Sequence, residues 1–137
     1  MKKRIVLCPM VILLILCLSL LTSCDVKKEP KIVPIDYTVV AHEDIPKEFL
    51  DEIEKNRETQ FDLTYSCEGM TYVAKGYGKQ SSGGFSISVQ KVELVDENVY
   101  FKTLLIGPKK GEAVNKLSTY PFIVIKFPDA GKNVIFE

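Results

Sequence analysis

Gly76-Tyr77-Gly78-Lys79-Gln80-Ser81-Ser82-Gly83-Gly84-Phe85-Ser86-Ile87-Ser88-Val89 decides the fold class of this 137-residue chain. A loop carrying four glycines runs straight into an alternating segment. Glycine has no Cβ and accepts positive φ, so the backbone there can turn sharply or come close to a neighbour. Phe85, Ile87 and Val89 then point one way and Ser86, Ser88 and Gln90 the other, the period of a half-buried strand. The apolar parity changes further on, from odd at Val89 to even at Val92 and Leu94. A one-residue slip turns a strand over, so a bulge near Gln90-Lys91 is expected to keep all five apolar residues on one face.

The flanks of that stretch carry the same signal. Phe61, Leu63 and Tyr65 alternate before a turn at Glu68-Gly69, and Met70, Tyr72 and Ala74 alternate after it, which predicts a hairpin. Downstream, Asp96-Glu97-Asn98 is a turn, Val99 to Ile106 a strand, and Gly107 to Gly111 a loop. Thr119 to Phe127 is apolar on both faces, as in a covered central strand, with Pro121 at its start because proline cannot donate to a ladder. Val134 to Glu137 is a short closing strand. Upstream, Asp36 to Ala41 is β-branched and aromatic and reads as a first strand.

One segment breaks the β pattern. Between Glu43 and Asn56, Ile45, Phe49 and Ile53 recur every four residues beside Leu50, the apolar stripe of one amphipathic helix. Asp44 suits the N-cap and Pro46 the first turn. Glu48, Asp51, Glu52 and Glu54 form its solvated face, with an i,i+4 pair from Asp51 to Lys55. The fold class expected is therefore α+β, mainly antiparallel β, as a small sandwich or open barrel with one short N-terminal helix.

The N-terminus reads as an export signal. Lys2-Lys3-Arg4 precedes an apolar run from Ile5 to Leu21, and Leu21-Thr22-Ser23-Cys24 follows. That tetrapeptide resembles the lipobox of bacterial lipoproteins. The resemblance implies that residues 1–23 are a signal peptide, that the Cys24 thiol receives a diacylglycerol, and that the protein sits outside the cytoplasm on the cell envelope. Two acyl chains give the stable anchoring that one does not. Residues 24–34, charged and holding two prolines, read as lipidated cysteine and flexible tether, and 35–137 as one domain. With Lys2, Lys3 and Arg4 in the leader, 15 basic side chains face 18 acidic ones. That balance, with no clustered positive run, excludes nucleic acid as a partner class.

Chemistry is sparsely represented. His42 is the sole histidine and there is no Cys-x-x-Cys pair, so a zinc site would have to be built from carboxylates alone. Cys8 and Cys17 lie in the leader, which leaves Cys67 as the one thiol of the body, expected to be buried and inert. A Cys67/His42 dyad is the single nucleophile–base pair the composition permits. Ser81-Ser82-Gly83-Gly84 lacks the spacing of a serine elbow, and no Lys-Ser or Lys-Thr follows the glycines to make a phosphate loop. What remains is main-chain geometry: a loop of small residues with exposed N–H groups, ending at Phe85. It fits a binding edge and equally a plain β-connection.

Residues Gly78 to Phe136 resemble the C-terminal domain of the PrcB family, proteins associated with a surface protease complex. Ser82-Gly83-Gly84-Phe85-Ser86-Ile87 stands where the family shows Thr-Gly-Gly-Tyr and an apolar alternation. Leu117-Ser118-Thr119-Tyr120-Pro121-Phe122 stands where it shows Thr-Tyr-Pro and an aliphatic strand. The departures, Ser82 for threonine and Phe85 for tyrosine, remove any hydrogen bond from a tyrosine hydroxyl there. The resemblance implies a non-catalytic, lipid-anchored accessory subunit with a protein partner, a surface or secreted protease, and no cofactor beyond the lipid on Cys24. Candidate partner-binding residues are Ser81, Ser82, Gly83, Gly84 and Phe85 with Thr119 and Tyr120. Two alternatives stand beside it: a protease-inhibitor-like module using the glycine-rich loop, to which Gln80 to Phe85 is similar without the proline, and an envelope enzyme using Cys67.

Overall fold

A computed structural model describes residues 28–137. The expected signal peptide, Cys24 and the first part of the expected tether lie outside the described residues. Two four-stranded sheets stack as a sandwich, with one helix packed on the outside of the second sheet. The first sheet has the order β1 (Ile32–Pro34), β5 (Ser86–Val95), β6 (Asn98–Ile106), β8 (Asn133–Phe136). The second has the order β2 (Thr38–Val39), β7 (Phe122–Pro128), β4 (Met70–Tyr77), β3 (Gln60–Cys67). All pairings are antiparallel except β6 with β8, which is parallel. The α+β sandwich is as expected, and the sheets do not close into a barrel.

The middle layer is built from β4 and β7, whose residues alternate between two cores. Val73, Ile125 and Phe127 face the first sheet and meet Val92, Val99 and Phe101. Ala74 and Val124 face the other way, toward Ile45, Phe49 and Ile53 of the helical segment. The apolar stripe read from the sequence is thus the buried face of α1 (Lys47–Asn56), with Phe49 and Ile53 fully covered. Each such side chain contributes about 1.5–3 kcal/mol on burial. The Phe49 ring stacks on Tyr65 at 5.4 Å and meets Tyr72 edge-on at 6.4 Å.

The bulge falls where the parity change required it. Val89 pairs with Thr103 and Lys91 with Lys102, so Gln90 is the extra residue. Glu68 and Gly69 form the β3–β4 turn with positive φ, and β7 begins just after Pro121. Gly76 lies within β4 against the ring of Phe61, which occupies the space a Cβ would need. Only a hydrogen there lets the aromatic side chain cross the strand and reach the helix-side core.

Several expectations are corrected. Asp44 does not cap α1; it belongs to a short 3-10 turn, His42–Asp44, and Pro46 holds the N-cap position with no side-chain bond. The helix charge pairs are Lys47–Asp51 and Arg57–Glu54, both at 2.8 Å, rather than Asp51 with Lys55. The strand expected over Asp36 to Ala41 shortens to Thr38–Val39, because the chain is crossing from one sheet to the other there. Ile32–Pro34, assigned to the tether, pairs with Glu93–Val95 as an edge strand. Three residues give too little pattern to read, and proline at an edge leaves no ladder bond unmade. Cys67 is half-exposed rather than buried, since it closes β3 at the edge of its sheet.

The β7–β8 connection is held by Asp129. Its carboxylate accepts from the Gly131 N–H (3.0 Å) and from the Thr71 hydroxyl (2.9 Å), while its own N–H donates to the Gly69 carbonyl at 2.9 Å. These bonds, the Gly131 amide first, lower its pKa below the ordinary 3.8. A depressed carboxyl stabilises the folded state above its unfolded value and loses that contribution as pH falls through the folded one. Asp129→Asn is therefore expected to lower the urea midpoint at pH 7, and the difference between the two proteins should shrink as pH falls through the depressed folded value of Asp129. Gly76→Ala is expected to destabilise by about 1–3 kcal/mol through overpacking against Phe61; Phe61→Leu in the same chain should restore part of the loss in thermal unfolding.

Candidate binding surface

The glycine-rich loop and the segment before β7 form one structure at one end of the sandwich. β4 delivers the chain into the loop at Tyr77 and β5 takes it away at Ser86. The Tyr77 N–H donates to the Pro121 carbonyl (3.0 Å), and Gln80 and Thr119 exchange two main-chain bonds of 2.8 and 3.1 Å. The Thr119 hydroxyl donates to the Ser82 carbonyl at 2.7 Å, and the Gly83 N–H donates to the Asn115 carbonyl at 2.8 Å. The candidate residues of both segments thus meet, although 34 or more positions separate Thr119 from the residues Ser81 to Phe85 in the chain.

Gly84 makes the close approach at the loop's far end. Its φ is +83°, and a Cβ would lie 2.8 Å from Val114 Cγ1 and 3.1 Å from Pro108 Cβ. Any larger residue there meets both backbone strain and a clash, so the loop packs down on residues 108–115 only with glycine. Gly107 in turn lies under the Phe85 ring. On the other flank, the Arg57 guanidinium sits 4.7 Å from the centroid of the Tyr120 ring, which ties the end of α1 to the same surface. The Tyr77 and Thr103 hydroxyls hydrogen-bond at 2.6 Å and link the two sheets beneath it.

This geometry changes how the surface presents itself. The Lys79, Gln80 and Gly83 amides, expected to be free for a partner, are engaged by Glu58, Thr119 and Asn115. Side chains are what the surface displays. Leu117 stands 69% exposed on the outer side of the 115–120 segment, and Leu104 and Ile106 at the end of β6 are about half exposed. The pairs Ser88↔Leu104 and Ser86↔Ile106 put the last two beside the start of β5. Next to Tyr120, a depression of about 360 Å³ is lined by Val39, His42, Ile45, Pro121 and Phe122. Sequence reasoning missed Leu117, Asn115 and Arg57. Leu117 had a signal, a lone leucine among Lys116, Ser118 and Thr119, with no periodicity to bury it.

The elements expected to bear chemistry stay apart. His42 lies 6.3 Å from the Phe122 ring, at the start of β7, whereas Cys67 pairs with Met70 at the other end, where Pro128 closes the same strand. Six residues of strand at about 3.3 Å each put roughly 20 Å between them. No dyad forms. Among the described residues, no group of three His, Cys, Asp or Glu side chains is placed to hold a metal ion.

Residues 71–128 match the family model described as PrcB C-terminal. The chain carries a PrcB-like domain. The match bears out the resemblance with shifted limits: it opens at Thr71 in β4, before the glycine-rich loop, and ends at Pro128, before β8. It therefore contains both segments of the surface, the bulged β5–β6 hairpin and the whole of β7. No curated protein and no solved structure matches the chain significantly.

Within the PrcB-like domain, Thr119 is the hinge of the surface, since its hydroxyl and both its main-chain groups cross to the loop. Thr119→Val keeps shape and removes one hydrogen bond, leaving the Ser82 carbonyl without it. The expected cost is about 1 kcal/mol in denaturant unfolding, with proteolytic nicking within residues 79–85 faster than in the unmodified protein.

Proposed function

We propose that this protein is a non-catalytic accessory subunit, anchored to the cell envelope by a diacylglycerol on Cys24, which binds a protein partner through residues 81–85 and 117–120. The observation that supports it best is the cross-pinning of two distant segments into one rigid surface with an exposed leucine at its rim. Preorganisation of that kind lowers the ordering cost of association. Leu117 adds exposed apolar area beside Tyr120 and Arg57, residue types enriched where protein partners bind most strongly. The PrcB-like domain favours association with a protease complex, at the surface or secreted, in an assembling or stabilising role. The separation of His42 from Cys67 along β7 argues against the thiol enzyme. An inhibitor-like use of the glycine-rich loop would require it to enter a cleft, and its packing against residues 108–115 favours a docking face instead.

A photo-crosslinking residue at Ser81 or Leu117 in intact cells is expected to trap one discrete partner, and Leu117→Asp to reduce the yield from Ser81 at least about tenfold, the effect of losing an anchor worth 1.4 kcal/mol or more. Crosslinks from Lys28 to Lys31 alone would overturn the surface assignment. Intact mass of the membrane-extracted protein tests the anchor separately: residues 1–23 should be absent and Cys24 should carry the lipid.

A further inference from the structure

The two sheets of the sandwich have four strands each but stack with an offset. The chain from β1 to β2 passes from the edge of one sheet to the edge of the other and closes that side. On the opposite side the edges are β8 and β3, and they are out of step. β8 contributes Val134 and Phe136 to the core that holds Val73 of β4, and the Lys75 ammonium of β4 lies 6.0 Å from the Phe136 ring centroid. β3 lies one strand further out. Its residues Asp62, Thr64 and Ser66 pair with Lys75, Val73 and Thr71, so they share the inward face with Val73. Yet all three are exposed. Polar side chains on an inner face mean that the strand expected above them is missing.

A cavity of about 380 Å³ occupies that place, floored by Asp62, Thr64, Ser66 and Thr71 and walled by the β7–β8 connection and β8. The wall offers main-chain groups. The Glu137 N–H donates to the Phe101 carbonyl at 3.0 Å. Peptide groups alternate sides along a strand, so the odd residues of β8 face β6, and Val134 and Phe136 turn their N–H and C=O toward the cavity. The charged groups around the cavity are already compensated: Asp62 by Lys75, Asp129 by Gly131 and Thr71, Lys132 by Glu97. Neutral polar side chains therefore complement the floor better than charged ones do.

We propose that an extended segment of a partner protein occupies this cavity, adding to β8 as a fifth strand and laying small hydroxyl or amide side chains over Asp62, Thr64 and Ser66. Main-chain bonds from Val134 and Phe136 would hold the strand, and alternate side chains would set its specificity. This site lies along the β3–β8 side and does not depend on the surface at residues 81–85 and 117–120.

The test uses lysine-capped heptapeptides alternating Thr, Ser or Asn with Val, added to the full-length protein in detergent and followed by residue-resolved amide exchange. Binding is expected to slow exchange at Val134 and Phe136 about tenfold or more, the protection of a formed ladder, with no change at Ser81 or Leu117. N-methylation of the peptide amides that face β8 should abolish the protection, and methylation of the other edge should leave it. Ser66→Trp fills the cavity from an exposed position, and it should abolish binding with the unfolding midpoint unchanged. Three outcomes overturn the proposal: no slowing at Val134 and Phe136 with any peptide, slowing indifferent to methylation or to Ser66→Trp, or protection already present without peptide that rises with protein concentration, which assigns the edge to a second copy.

Discussion

Everything in this fold rests on β4 and β7 being covered from both sides. Val73 and Ile125 are fully buried toward one sheet, and Ala74 and Val124 toward the helix, in strands that pair residue for residue. A strand pair apolar on both faces cannot be left at a surface, so it demands two covering layers. The β5–β6 hairpin supplies one and α1 the other. Phe61 shows how tight the second layer is, since its ring lies on Gly76 and excludes any side chain from the strand beneath it.

The candidate surface inherits its rigidity from that pair. β4 runs into the glycine-rich loop and the 115–120 segment runs into β7, so the two segments that pin each other are continuations of the two best-buried strands. The bonds from Tyr77 to Pro121 and between Gln80 and Thr119 extend the β4–β7 ladder beyond the sheet. A loop of this composition, detached from such a ladder, would lose its shape through the entropy that glycine carries in the unfolded chain. Here the same glycines permit close packing against Pro108 and Val114.

Much of this was legible in the residues. The parity change after Val89 required the bulge, the four-residue recurrence at Ile45, Phe49 and Ile53 required the helix, and the two-faced run read over Thr119 to Phe127 required a central strand, which begins at Phe122. Local periodicity reports burial directly, so these readings held. The edges were not legible in the same way. Ile32–Pro34 and Thr38–Val39 are too short to show a period, and their pairing is set by where the sheet ends, which is a tertiary fact. The half-exposure of Cys67 follows from the same cause. In β3 the pattern was read correctly as one apolar and one polar face, but the sequence could not reveal that the polar face points inward. For the surface, the family resemblance supplied Ser81–Phe85 and Thr119–Tyr120 as two separate motifs, whereas their meeting and the use of the loop amides within the fold follow from hydrogen bonds that no local pattern encodes.

The parallel pairing of β8 has a consequence for the order of assembly. The β3–β4 and β5–β6 hairpins close over short turns and can form from neighbouring residues alone. β8 has no such local partner: it must leave β7 in one sheet, cross the end of the molecule through Asp129 to Lys132, and find β6 in the other. Its ladder spans 35 positions (Asn98↔Asn133), so like β1 on β5 and β2 on β7, which span more, it joins distant stretches of chain that the two hairpins can precede.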